Sequence, residues 1–138
     1  DLDGGLDDGT RALALDPDDA SARLWRGIAW LARREPRRAL EDLDRAVALA
    51  PNDAESHYNR AAAREALGDL AGALADLDRA IALAPREAAG ALVNRALVKE
   101  RLDDRAGALA DLEAALRLEP RGQHADRARA ARVRLGPP

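Results

Sequence analysis

Four prolines set the terms on which this chain can fold. Leu-Asp-Pro closes at Pro17, Leu-Ala-Pro at Pro51 and again at Pro85, and Leu-Glu-Pro at Pro120, at intervals of 34, 34 and 35 residues. A period of that length marks one supersecondary unit per copy, which buries its apolar face only by stacking on its neighbours. Upstream of the last three prolines the same text recurs, over residues 38–46, 72–80 and 107–115, each beginning Arg-Ala-Leu or Gly-Ala-Leu and continuing with Asp-Leu. Leu40, Leu43, Val47 and their counterparts are spaced by three and four, the amphipathic helical interval, and no stretch alternates as a strand would. A first helix precedes each of these second helices, from Ala20 to Ala32, Ala54 to Leu67 and Ala89 to Leu102. Gly68-Asp69 and Asp103-Asp104 supply turns that tolerate a left-handed helix end, and Pro36 suits the first turn of the helix it opens. Arg34, standing where the next copy has Gly68, fits its turn worst.

Composition decides what such a stack is packed with. Hydrophobic residues make up 47% and charged residues 34%, but aromatics only 2%, so Ala, Leu, Val and Ile must build the core of closely packed helices. The net charge of -3 gives no global attraction to nucleic acid or to acidic membranes. Charge is uneven, though: Arg121, Arg127, Arg129, Arg132 and Arg134 face only Asp126 in residues 121–138, a basic tail on an acidic body. Without cysteine there is no disulfide framework, thiolate zinc site or cysteine nucleophile. Their absence leaves the compartment open, with the cytoplasm as the default. No apolar run reaches the roughly 18 residues of a spanning helix, and no signal-peptide pattern opens the sequence.

A 34-residue helix-turn-helix with small residues at Gly27, Ala61 and Ala96, alanines at Ala39 and Ala46 and their copies, and a closing proline resembles the tetratricopeptide repeat. The resemblance implies an all-α fold, a right-handed superhelical solenoid of antiparallel helix pairs, and one continuous domain. Its expected parts are residues 1–17 as the second helix of a preceding repeat, 18–53, 54–87 and 88–122 as three repeats, and 123–138 as a capping helix and tail. Residues 1–17 align with 69–85 without a gap and share ten of seventeen residues, so the sequence is expected to open inside a repeat of a longer array. The extra residue of the third interval falls near Arg86 to Ala88. Ala128, Ala131 and Leu135 form the stripe of a helix that covers the last repeat, its arginines forming a solvated outer face.

The family's inner surface is lined by first helices. The resemblance maps it onto Leu24, Trp25, Ile28 and Leu31, then Tyr58, Asn59, Ala62 and Glu65, then Val93, Asn94, Leu97 and Glu100. Periodicity alone places Leu24, Ile28 and Leu31 on the apolar stripe of their helix, so groove and core remain alternatives for them. Trp30 is off that stripe and reads as packing, whereas Trp25 at its edge reads equally as packing or as partner contact. Asn59 and Asn94 share one repeat position, resembling the asparagine ladder by which some relatives grip extended peptides. The basic clamp with which others hold a chaperone's C-terminal carboxylate is not matched: its lysines, arginine and first asparagine lack counterparts at Leu24, Ile28, Gly90 and Asn94, and only Asn59 fits.

One charged pattern repeats with a fixed offset. Arg26 and Asp42, Arg60 and Asp76, and Arg95 and Asp111 are each sixteen residues apart, a spacing that brings a guanidinium on a first helix to a carboxylate on its partner. These pairs are expected to form a ladder that fixes the angle within each helix pair. The same positions, with Arg23, Arg64 and Lys99 nearby, carry cations where the family often has large apolar residues, so the packing between helices is thinner than usual. Asp42 and Asp44, two apart on one helix, point away from each other and cannot readily share a metal or a proton.

No reading as an enzyme or metalloprotein emerges. His57 and His124 are isolated and are expected to be partly exposed repeat residues, and Asp1-Leu2-Asp3-Gly4 fails the rest of a calcium loop at Leu6 and Ala12. Phosphate-loop, His-Glu-x-x-His and nucleophile-elbow patterns are missing, so neither cofactor nor catalytic residues are expected. The expected function is a protein–protein interaction scaffold that holds a peptide or partner segment along the concave face. The alternative is a self-assembly module stacking end to end through its open half-repeat, a homo-oligomer.

The opening helix departs from the repeat at Gly5, where other copies have alanine, and at Gly9, where they have leucine. Each glycine in a helix interior costs about 1 kcal/mol. The helix from Asp1 to Ala14 is therefore expected to be the least stable, with the fastest amide hydrogen exchange of any helix, and protection there exceeding that of the middle repeat would refute the expectation.

Overall fold

The computed structural model describes residues 2–138, all but the first residue of the chain; of Leu2 it describes the backbone. Eight α-helices pack in sequential pairs, and the described residues contain no strand. They are α1 (Leu2–Leu15), α2 (Ala20–Ala32), α3 (Pro36–Leu49), α4 (Ala54–Ala66), α5 (Leu70–Leu83), α6 (Ala89–Arg101), α7 (Arg105–Leu118) and α8 (Gln123–Leu135). The first helices end one residue short of the expected Leu67 and Leu102, which serve as C-caps. A 3-10 turn at Pro85–Glu87 overlaps the place where the third interval is one residue longer.

The chain divides into two compact units, Asp1–Asp76 and Leu77–Pro138, with the division inside α5. Stacked repeats form local cores because each helix pair touches only its neighbours. In the first unit Leu24, Ala39, Leu43, Ala46 and Ala63 are the buried cluster, with Ile28, Trp30, Leu31 and Leu40 packed against it. Gly27 lets α2 approach α3 closely: a Cβ there would stand 2.7 Å from Leu43 Cγ. Trp30 packs as its position off the stripe implies, and Arg38 lies over its ring at 4.8 Å from the centroid.

In the second unit Leu92, Val93, Ala96, Ala108, Leu112, Ala115, Ala128 and Ala131 belong to one buried cluster, joined at its edge by Ile81, Leu97 and Leu135. Ala128, Ala131 and Leu135 of α8 thus cover α6 and α7 as the stripe predicts.

Local chemistry explains the helix ends. Asp19 and Asp53 cap α2 and α4 by accepting from Ala22 and Ser56 N–H, each at 2.9 Å. Asp69 and Asp104 accept from Gly72 and Gly107 N–H, also at 2.9 Å, and the glycines make room, since a Cβ at either would lie 2.1–2.2 Å from the capping carboxylate. The first pair lacks this device: Glu35 makes no side-chain cap, and Arg38, at the glycine's place, pairs with it at 3.2 Å.

Each first helix also ends alike. Arg34, Gly68 and Asp103 have φ of 60°, 83° and 62°. The next residue's N–H then reaches back five residues, to the carbonyls of Trp30, Arg64 and Lys99, at 2.9 Å every time. The closing turn imposes a left-handed conformation whichever residue is there, and Arg34 bears it at a cost. Arg34→Gly is expected to stabilise the chain by about 1 kcal/mol, read from urea unfolding; an unchanged or lower midpoint would contradict this account.

Candidate protein-binding surface

The offset pairs form, and they decide where the first helices stand. Arg26 on α2 grips Asp42 on α3 through Nε at 2.7 Å and NH2 at 2.8 Å. Arg60 on α4 repeats this with Asp76 at 3.0 and 2.8 Å, and Arg95 on α6 with Asp111 at 2.8 and 2.7 Å. The carboxylates are buried, Asp42, Asp76 and Asp111 being 3%, 2% and 5% exposed, so the bidentate geometry replaces lost hydration. Hydrogen bonding to these carboxylates raises the pKa of Arg26, Arg60 and Arg95 against the opposing effect of burial.

Two further layers of the ladder escape the sixteen-residue rule. Each aspartate takes a second cation: Arg23 at 3.0 Å on Asp42, Arg64 at 3.0 Å on Asp76, and Lys99 at 2.9 Å on Asp111. These are the residues that stand in place of large apolar ones, so charge, rather than a void, replaces the missing packing. Each ladder arginine also reaches back with NH1 to the preceding second helix: Arg26 to Thr10 at 3.4 Å, Arg60 to Asp44 at 3.2 Å, Arg95 to Asp78 at 2.8 Å. The backward offset of 16 or 17 residues was there to be found in the repeated text. Asp44 and Asp78 face away from Asp42 and Asp76 and serve different arginines.

His57 departs from the expected partial exposure. It is buried at the place of Arg23 one repeat on, with Nε2 2.8 Å from the Pro51 carbonyl and Nδ1 3.6 Å from Asp76. His124 is half-buried, its ring lying where a Cβ on Gly90 would go. No group of residues suited to a metal occurs among the described residues.

The mapped inner surface divides between the two units. On α2 Leu24 is buried in the core, one of the two alternatives left open for it, on the stripe with Ile28 and Leu31, both half-buried against that cluster. Trp25 is 58% exposed. On α4 Tyr58, Asn59, Ala62 and Glu65 are all partly exposed, and Asn59 donates its amide to the Glu55 carbonyl of its own helix at 2.9 Å. On α6 Val93 is fully buried, which corrects its place on the mapped surface, because α8 completes the cluster around it; Leu97 packs at the cluster's edge. Asn94 accepts from Arg127 at 2.9 Å, and Glu100 pairs with Arg134 through both oxygens at 3.0 and 2.5 Å. Those two arginines are thus tied to α6 rather than only solvated, and Arg134 holds the Glu100 carboxyl below its ordinary range. Between the N-terminal turns of α2 and α4 lies an open cavity of about 360 Å³, lined by Ser21, Leu24, Trp25, Asp53, Glu55 and Ser56 among others.

Stacked helical hairpins with a closing left-handed turn and a proline at each repeat end define a helical-repeat scaffold. A family model described as tetratricopeptide repeat matches residues 31–94. Among solved structures, TTC0263, a thermophilic TPR protein of Thermus thermophilus, superposes with a TM-score of 0.85 at 28% identity, covering 98% of this chain and 75% of that one. MamA superposes with a TM-score of 0.81 at 27% identity, over 87% of this chain and 70% of that one. The first TPR of Spaghetti (RPAP3), solved with an HSP90 peptide, shares the fold with a TM-score of 0.78 at 22% identity, over 87% of this chain and 92% of that one. No curated protein sequence matches the chain significantly. Residues 31–94 are thus tetratricopeptide repeat, a class whose domains are in general protein–protein interaction modules, and the whole chain shares the fold of solved TPR proteins.

The ladder's contribution is measurable. Asp76→Asn removes the buried carboxylate that Arg60 and Arg64 share, leaving them the exposed Asp44 and Asp69, and is expected to cost about 2–3 kcal/mol, toward the low end for a broken buried pair because both guanidiniums keep these partners and some access to water. Replacing Arg26 and Asp42 together by leucine is expected to cost less than Asp42→Asn alone. Chemical denaturation of these variants checks both, and a neutral Asp76→Asn would show the ladder to be ornamental.

Proposed function

We propose that the chain binds an extended or helical segment of a protein partner on the surface formed by α2 and α4 of the first unit. The exposed indole of Trp25 carries this reading: a large apolar ring 58% open to water, beside a cavity of about 360 Å³ and within a family of interaction modules. Ile28, Leu31, Tyr58, Asn59, Ala62 and Glu65 complete the surface. In the second unit Asn94 and Glu100 already hold α8, so Leu97 adds little. The scaffold itself needs no chemistry.

Titration of a peptide library followed by Trp fluorescence tests this, in a Trp30→Phe background so that Trp25 is the only reporter. Affinities near micromolar, about 8 kcal/mol of binding free energy, are expected for the best sequences, with Trp25→Ala weakening them by about tenfold or more, measured by calorimetry. A library without any response, or binding indifferent to Trp25→Ala, would refute the reading.

The ladder's register favours a second reading, end-to-end association. Arg129 of α8 stands 34 residues after Arg95, and Glu113 of α7 stands 35 after Asp78, while Asp8 of α1 stands 34 before Asp42. Arg129, Glu113 and Val133, the last 82% exposed, line an open cavity of about 570 Å³ on the second unit. In this reading α1 of a second copy docks there and its Asp8 takes Arg129 from the Asp126 carboxylate and Pro120 carbonyl it now bonds. Light scattering at several concentrations separates the two readings, since only the second makes mass rise with concentration, and Asp8→Asn would then suppress the rise.

A further inference from the structure

The cavity beside Trp25 has a charge as well as a shape. Its lining includes two carboxylates, Asp53 and Glu55, and no cation, although arginine is abundant elsewhere in the first unit. Several of those arginines are engaged away from it: Arg23 and Arg26 on Asp42, Arg60 and Arg64 on Asp76, Arg45 on Asp18 and Arg38 over Trp30. Asp53 is committed to the α4 cap, accepting from both the N–H and the hydroxyl of Ser56. Glu55, in the first turn of the helix and exposed, is the carboxylate with freedom to meet a ligand. An indole face next to an exposed carboxylate is the pairing that receives a cation on an aliphatic stem: the stem covers the ring, the charge lies over its negative face, and the carboxylate closes the pair.

We propose that this cavity takes a basic side chain of the partner segment, arginine in preference to lysine. A planar guanidinium stacks on the indole and can bond a carboxylate through two N–H groups at once, which an ammonium cannot. Glu55 supplies the countercharge, Trp25 the stacking face and Leu24 the floor. The inference rests on the reading of the Trp25 surface as the binding site and adds the chemistry of what it selects.

The test uses the full chain carrying Trp30→Phe and three acetylated, amidated peptides, Leu-Ala-Arg-Ala-Leu and the same sequence with Gln or Glu at the centre, titrated while following Trp25 fluorescence. The arginine peptide is expected to bind about tenfold more tightly than the glutamine peptide, and the glutamate peptide more weakly than either. The preference should shrink as salt rises from about 50 to about 500 mM, because an exposed pair is screened. Glu55→Gln is expected to abolish the arginine preference while leaving the affinity for the glutamine peptide unchanged. Equal affinity for the arginine and glutamine peptides, or a preference that survives Glu55→Gln, would overturn the cation site and leave the Trp25 surface standing. Silence toward all three from a protein whose Trp25 answers other library peptides would also overturn it. Failure of the whole library is instead the failure of the surface itself.

Discussion

A carboxylate enclosed between two helices must be met by cations, and how Asp42, Asp76 and Asp111 are met governs the arrangement around them. Each receives a bidentate guanidinium from its own first helix and a second cation from one helical turn away, before the ladder arginine in the first copy and after it in the next two. A guanidinium is rigid and planar, so two N–H contacts to one carboxylate fix a direction as well as a distance. Its remaining nitrogen reaches the preceding second helix. A single side chain type therefore joins three helices, within a pair and between pairs.

That device changes what the apolar core has to do. With so few aromatics and so much alanine, the buried clusters are thin, and close approach replaces bulk: Gly27 against Leu43, Ala96 and Ala108 within the second unit's cluster. Charge satisfies the space around the aspartates, leaving large apolar side chains free to lie elsewhere. Trp25 is the case on which the proposed binding surface rests, because an indole held at the surface has not been spent on packing. The charged ladder and the exposed ring are in this sense the same allocation of residues.

Much of this could be read from the sequence because a repeat amplifies weak signals: one arginine and one aspartate mean little, but three pairs at one offset specify a contact. The helices, their order and α8's apolar stripe were legible for the same reason. Positions that break the repeat were harder. Arg34 is unremarkable as a residue type, yet the turn at its place demands a left-handed backbone. His57 looks like an ordinary surface histidine until Asp76 and the Pro51 carbonyl close around it. The inner surface was legible only in outline, since the positions that face inward also pack on one side, and whether Leu24 and Val93 are open depends on which neighbour covers them. Asn94 and Glu100 engage α8 through arginines that occur outside the repeated text, where periodicity gives no guidance.

Lys99 is the sole lysine of the chain, and its amine stands 2.9 Å from the enclosed carboxylate of Asp111. Reagents that acylate primary amines would find this side chain held in an ion pair, and success would cancel one of the two charges balancing Asp111. A dye or a surface tether attached there would therefore report on an altered third hairpin, whereas an engineered thiol on the outer face of α8, in a chain without cysteine, would provide a handle that leaves the ladder intact.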